Sequence, residues 1–101
     1  MQKYKHITVM EIILDNHSKK LQELNALLDY LKDNQEDFNK LIDYYYSDQR
    51  QEDLANEEKG LIDKELKRGV LSEDAIYNLM TDYYGASIKM LELSTGYFKH
   101  Q

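Results

Sequence analysis

From Ile7 to Tyr45, apolar side chains recur every three or four residues, and no proline interrupts them. With heptad position a at Ile7, a holds Ile7, Leu14, Leu21, Leu28, Gln35 and Ile42, and d holds Met10, His17, Leu24, Leu31, Phe38 and Tyr45. Only His17 and Gln35 break the apolar character of these twelve positions. A chain with no proline at all and four glycines has little to stop such a run. The spacing therefore predicts one helix from about residue 4 to 46, roughly 60 Å long at 1.5 Å per residue. Position g adds Ile13, Leu27 and Leu41, a stripe wider than a two-stranded seam, which points to more than one neighbour, as in a bundle. Thr8 and Glu11 have the spacing of a capping box. Ile7 and Met10 already belong to the heptad, however, so the helix is expected to run through them.

The pattern fails after Tyr46. The stretch SDQRQEDLANEEKG is polar with one leucine, and GLIDKELKR places Leu61, Ile62 and Leu66 close enough for a turn or two of helix. Without proline or Ser/Gly richness, residues 47–71 read as an ordered connector holding a short helix. Helical spacing returns with Ile76, Leu79, Tyr83, Ala86, Met90, Leu93 and Tyr97, widened by Met80 and Leu91. This predicts a second helix over about 72–95, with Gly85 on its outer face and Gly96 as its stop. The expected architecture is all-α, a single domain over 1–101. It is a long antiparallel helical hairpin with a short connector helix and coiled-coil-like packing.

Between the connector and the second helix stands KRGVLSED. Gly69 can end a helical turn in a left-handed conformation. Ser72 is a preferred N-cap, and Glu73 and Asp74 then sit where the helix dipole favours negative charge. Val70 and Leu71 are expected to be buried in the corner so formed. This tract, followed by AIYNLM and preceded upstream by the DYY of Asp43–Tyr45, resembles a small bacterial family, domain of unknown function 4298. The resemblance runs over nearly the whole chain, and KRGVLSEDAIY is its specific part. The family pattern sets an aromatic, often tryptophan, before the connector aspartate and a proline before KRGVLSED. This chain has Arg50 and Gln51 ahead of Asp53, and no proline. The family has no assigned activity, so the resemblance implies a fold and not a function.

Composition narrows the functions. Nineteen acidic against thirteen basic residues give a net charge of −6, and Lys3, Lys5 and His6, the Lys19–Lys20 pair, and Lys64, Lys67 and Arg68 form no continuous basic stripe. No nucleic-acid partner is expected. No segment has the ~18 uninterrupted apolar residues of a membrane span, and Ile7–Leu14 is broken by Thr8 and Glu11 and lacks a cleavage site for a signal peptide. Absence of cysteine excludes disulfides and cysteine-based zinc sites and fits a cytoplasmic location. His17 has no His or carboxylate three or four residues away, so it reads as a register-fixing or interface histidine and not a metal ligand. Asp29, Asp33, Glu36, Asp37 and Asp43 occupy outer heptad positions, which leaves no inward carboxylate pair. No Ser-His-acid set or glycine-rich phosphate loop has positional logic. No catalytic, metal or cofactor-binding residues are expected, and the chain is read as not an enzyme.

Tyr44, Tyr45 and Tyr46 span most of a helix circumference and cannot all face one core. Tyr45, at d, is expected to be buried, with Tyr44 or Tyr46 under the connector or exposed. Two functional readings follow. In the first, the chain is a helical protein-interaction module that self-associates or docks a protein partner. Helix 1 is expected to outrun the ~35 Å second helix and leave Ile7, Met10, Ile13, Leu14 and His17 uncovered. In the second, it binds a small molecule or nucleotide at the corner of Tyr44–Tyr46, Asp53 and Gly69, Val70, Leu71, Ser72, Glu73 and Asp74.

Overall fold

The computed structural model describes residues 2–100, and every regular element among them is helical. α1 spans Lys5–Asp33, α2 Gln35–Tyr45, α3 Asp48–Glu58 and α4 Ala75–His100, with 3₁₀ turns at Gln2–Tyr4 and Gly69–Leu71. No helix among the described residues is long and apolar enough to cross a membrane. The chain divides into two compact units, one ending at Phe38 and the other beginning at Asn39.

In the first unit the expected single helix over 4–46 is corrected: it is interrupted at Asn34. The Asn34 backbone takes φ −109° and ψ 18°, outside the helical well. Its amide and its side-chain Nδ2 both reach the Tyr30 carbonyl at 3.0 Å. A short amide side chain that competes for the backbone in this way disfavours helix interiors. The Phe38 amide still donates to the Asn34 carbonyl at 3.1 Å, so helical hydrogen bonding resumes at once. Glu36 and Asp37 then fill the first turn of α2, where the dipole favours acids. α1 has no buried residue; Leu24 (a d position) and Leu28 (an a position) are half-buried, and residues 3–23 are exposed.

The second unit is built from capped short pieces. Ser47, at φ −89° and ψ 157°, opens α3 by accepting the Arg50 amide on its hydroxyl at 3.1 Å. Gly60 closes the helix with φ +74°, the one left-handed residue among those described. The Gly60 amide donates to the Glu57 carbonyl and the Leu61 amide to the Asn56 carbonyl, both at 3.0 Å, which is the paired Schellman stop. The connector helix therefore lies at Asp48–Glu58, not at Leu61–Leu66, which is irregular. Gly69 is likewise corrected: it has no positive φ and stands in a 3₁₀ turn.

α4 begins at Ala75, three residues after Ser72, whose backbone is extended and whose hydroxyl accepts the Ala75 amide at 3.2 Å. The helix runs past Gly96 to His100, since a single glycine weakens a helix without ending it. Its covered face is Ile76, Met80, Tyr83, Ser87 and Met90, turned by one residue from the expected Leu79 and Ala86. Gly85 is half-buried and does not lie on the outer face. Ile76 is 3% exposed and Arg50 8%, and these are the two buried residues among those described.

Candidate functional site

Two serines with identical wiring shape the corner of the second unit. The Ser47 hydroxyl donates to the Tyr44 carbonyl at 2.6 Å and accepts the Arg50 amide, three residues back and three residues on. The Ser72 hydroxyl donates to the Gly69 carbonyl at 2.7 Å and accepts the Ala75 amide at the same offsets. Each serine amide also donates to that same upstream carbonyl at 3.0 Å. Each serine thus closes one helical turn; Ser47 directly precedes α3, and Ser72 binds the first amide of α4 from three residues upstream.

Arg50 fastens the two serine turns together. Its Nε donates to the Val70 carbonyl at 3.2 Å and its Nη2 to the Ser72 carbonyl at 3.1 Å. Its guanidinium carbon lies 4.8 Å from the centre of the Tyr45 ring, within the range of a cation–π contact. No carboxylate pairs with it among the described residues, so backbone dipoles and a ring face hold the buried charge.

One turn away, the Tyr44 hydroxyl donates to Asp53 Oδ2 at 2.6 Å, and Gln49 Nε2 donates to Asp53 Oδ1 at 2.9 Å. Burial raises the Tyr44 phenol above its ordinary value, and the bond to Asp53 and the charge of Asp53 add to this, against the opposing pull of Arg50. The Tyr44 bond, then the Gln49 bond, hold the Asp53 carboxyl below its ordinary value, with partial desolvation acting the other way. The pair therefore keeps its proton on the phenol and its charge on the carboxylate.

The structure thus brings together Tyr44 with Asp53, and Tyr45 with Val70 and Ser72 through Arg50. Val70 is 40% exposed and Leu71 half-buried, so the expected burial of this link is corrected: the Val70 carbonyl is held by Arg50 while the side chains stay near the surface. Tyr45 is half-buried where burial was expected. Tyr46 is the exposed member of the trio at 71%, its ring edge-on to Tyr45 at 4.9 Å. Glu73 and Asp74 project into solvent. Ile7, Met10, Ile13, Leu14 and His17 lie on the exposed face of α1, where His17 Nδ1 sits 3.0 Å from the Ile13 carbonyl.

Two cavities flank Lys67 and Val70, which line both. One, of about 320 Å³, has apolar walls from Leu41, Ala75, Ile76 and Leu79. The other, of about 260 Å³, reaches the Tyr44–Asp53 pair and is walled by Ile62, Leu66 and Leu71, with Arg68 at its edge. Arg68 also lies 3.6 Å from Glu57.

The sequence reading leaves out Ser47, Gln49 and Gly60, and takes Arg50 only as a departure from the family pattern. Ser47 followed by Asp48 carried a cap signal, and Gly60 after a polar run carried a stop signal. Arg50 carried none, because its partners are main-chain carbonyls.

The family model described as domain of unknown function DUF4298 matches residues 7–93. No curated protein and no solved structure matches the chain. The chain belongs to the DUF4298 family, and the match takes in the whole Tyr44–Asp74 corner.

Proposed function

We propose that this DUF4298 chain is a helical protein-interaction module that self-associates through the N-terminal half of α1 and acts in the cytoplasm. One observation carries the reading. Ile7, Met10, Ile13 and Leu14 are 50, 57, 46 and 59% exposed on a helix that buries nothing. A contiguous apolar face of this kind is unusual on a soluble monomer. A second copy offers the same stripe, so two α1 helices can cover each other through an isologous contact. Within each copy, the proposed arrangement is an antiparallel hairpin of the two heptad-bearing arms with coiled-coil-like packing. It rests on the apolar heptad positions of the sequence over Ile7–Tyr45 and Ile76–Tyr97.

The reading includes no catalysis, no cofactor, no nucleic acid and no membrane. A net charge of −6 and a Tyr44 hydroxyl already committed to Asp53 support it. A second reading, a small-molecule site at the Tyr44–Tyr46/Gly69–Asp74 corner, is supported by the two cavities there.

Light scattering after size exclusion tests the module on wild type and on an Ile13→Lys, Leu14→Lys double variant. Wild type should run at twice the monomer mass and the variant as a folded monomer. A monomeric wild type at micromolar concentration, as soluble and stable as the variant, removes the proposal.

A further inference from the structure

We propose that the 320 Å³ cleft beside Gly69 binds a small amphiphile with a short apolar body and a single carboxylate. The φ of Gly69 is not positive, so the backbone does not require glycine there. A Cβ built on it meets nothing within 4 Å, so no neighbour requires glycine either. Yet Gly69 lines the cleft. A glycine demanded by neither strain nor crowding leaves open the space that a side chain would occupy.

The chemistry of the walls sets the occupant. Leu41, Val70, Ala75, Ile76 and Leu79 present hydrocarbon, and Ile76 anchors them as a buried residue. Lys67 is the one ionisable residue among those lining the cleft. It is exposed and makes no ion pair among the described residues. An apolar floor with one unpaired cation is complementary to a hydrocarbon tail carrying one negative charge. The volume lies at the small end of the range for ligand pockets, which suits about ten non-hydrogen atoms and not a nucleotide. The Arg50 bonds to the Val70 and Ser72 carbonyls fix one wall of the cleft in advance, so little ordering remains for a ligand to impose.

This inference is independent of self-association through α1. The probe is octanoate, titrated into the full chain and followed by amide chemical shifts, with 1-octanol and octylammonium as controls. Saturable shifts are expected at residues 67–71 and 75–79, with a Kd on the order of a millimolar for octanoate. Octanol should bind about threefold more weakly, the weight of one exposed charge pair, and octylammonium more weakly still. Lys67→Gln should bring octanoate to the level of octanol. Gly69→Leu should abolish the saturable shifts while leaving helix content and melting temperature unchanged. The Ile13→Lys, Leu14→Lys variant should bind as wild type does. Three outcomes overturn the proposal: shifts confined to α1, octanoate binding that survives Gly69→Leu, or a Gly69→Leu chain whose molecular mass in solution falls, which would assign the cleft to a second copy.

Discussion

Arg50 and Ser72 are 22 residues apart in the chain and joined by a 3.1 Å hydrogen bond from the guanidinium Nη2 to the Ser72 carbonyl. With Nε on the Val70 carbonyl at 3.2 Å, one planar side chain holds two points of the same turn. Lysine offers a point charge and no fork. Arg50→Lys should therefore lower stability by about 1–2 kcal/mol, and Arg50→Ala by about 2–3 kcal/mol, because two part-buried carbonyls lose a charged donor. Urea denaturation followed at 222 nm measures both. A wild-type midpoint for Arg50→Lys would show that the fork is dispensable.

The matched serines should behave as a matched pair. Ser47→Ala removes the cap of α3 and Ser72→Ala the hydroxyl that accepts the Ala75 amide, and each should cost about 1 kcal/mol. The double variant should add the two losses, unless Arg50, which both turns share, couples them. Equilibrium unfolding of the four chains gives the coupling directly, and a Ser47→Ala chain as stable as wild type would contradict the cap.

Asp53 and Tyr44 titrate at opposite ends of the pH range. The Asp53 carboxyl is lowered in the fold, so its contribution is present above the unfolded value of about 3.9 and is lost as pH falls through the lower folded value. The Tyr44 phenol is raised, so its contribution is full below about 10 and is lost as pH rises through the higher folded value. Between those limits the pair should leave stability flat. In Tyr44→Phe the Asp53 carboxyl should titrate higher, nearer its ordinary value. Carbon-13 titration of Asp53 reads this, and an unchanged midpoint would deny the bond.

Gly60 and Gly69 should respond oppositely to alanine. At φ +74°, Gly60→Ala meets the left-handed penalty and should lose about 1–2 kcal/mol. Gly69→Ala enters open space at an ordinary φ and should be neutral or stabilising by up to about 1 kcal/mol, through the entropy of the unfolded chain. Thermal melts of the two variants separate the cases.

The heptad made the long helices legible because apolar spacing is a property of side chains alone. Leu24, Leu28, Phe38, Ile42 and Tyr45, all a or d positions, are half-buried. Asn34 was not legible, because its interruption rests on a side-chain amide competing for one carbonyl inside an otherwise regular run. α3 has almost no apolar period to mark it as a helix in the sequence; its ends are set by Ser47 and Gly60. The corner was legible in part. Ser72 stated its cap in the sequence, whereas the reach of Arg50 to carbonyls 20 and 22 residues away has no side-chain signature.

The Arg50 bonds also decide what may vary. Residues 61–68 carry no regular structure, yet the turn that follows them is held by bonds from α3 and not by the length of chain leading into it. Closing a longer loop costs only about 0.6 kcal/mol per doubling of its length. Insertions and deletions between Gly60 and Lys67 should therefore be tolerated in this chain, while Ser47, Arg50 and the Val70–Ser72 backbone keep their register.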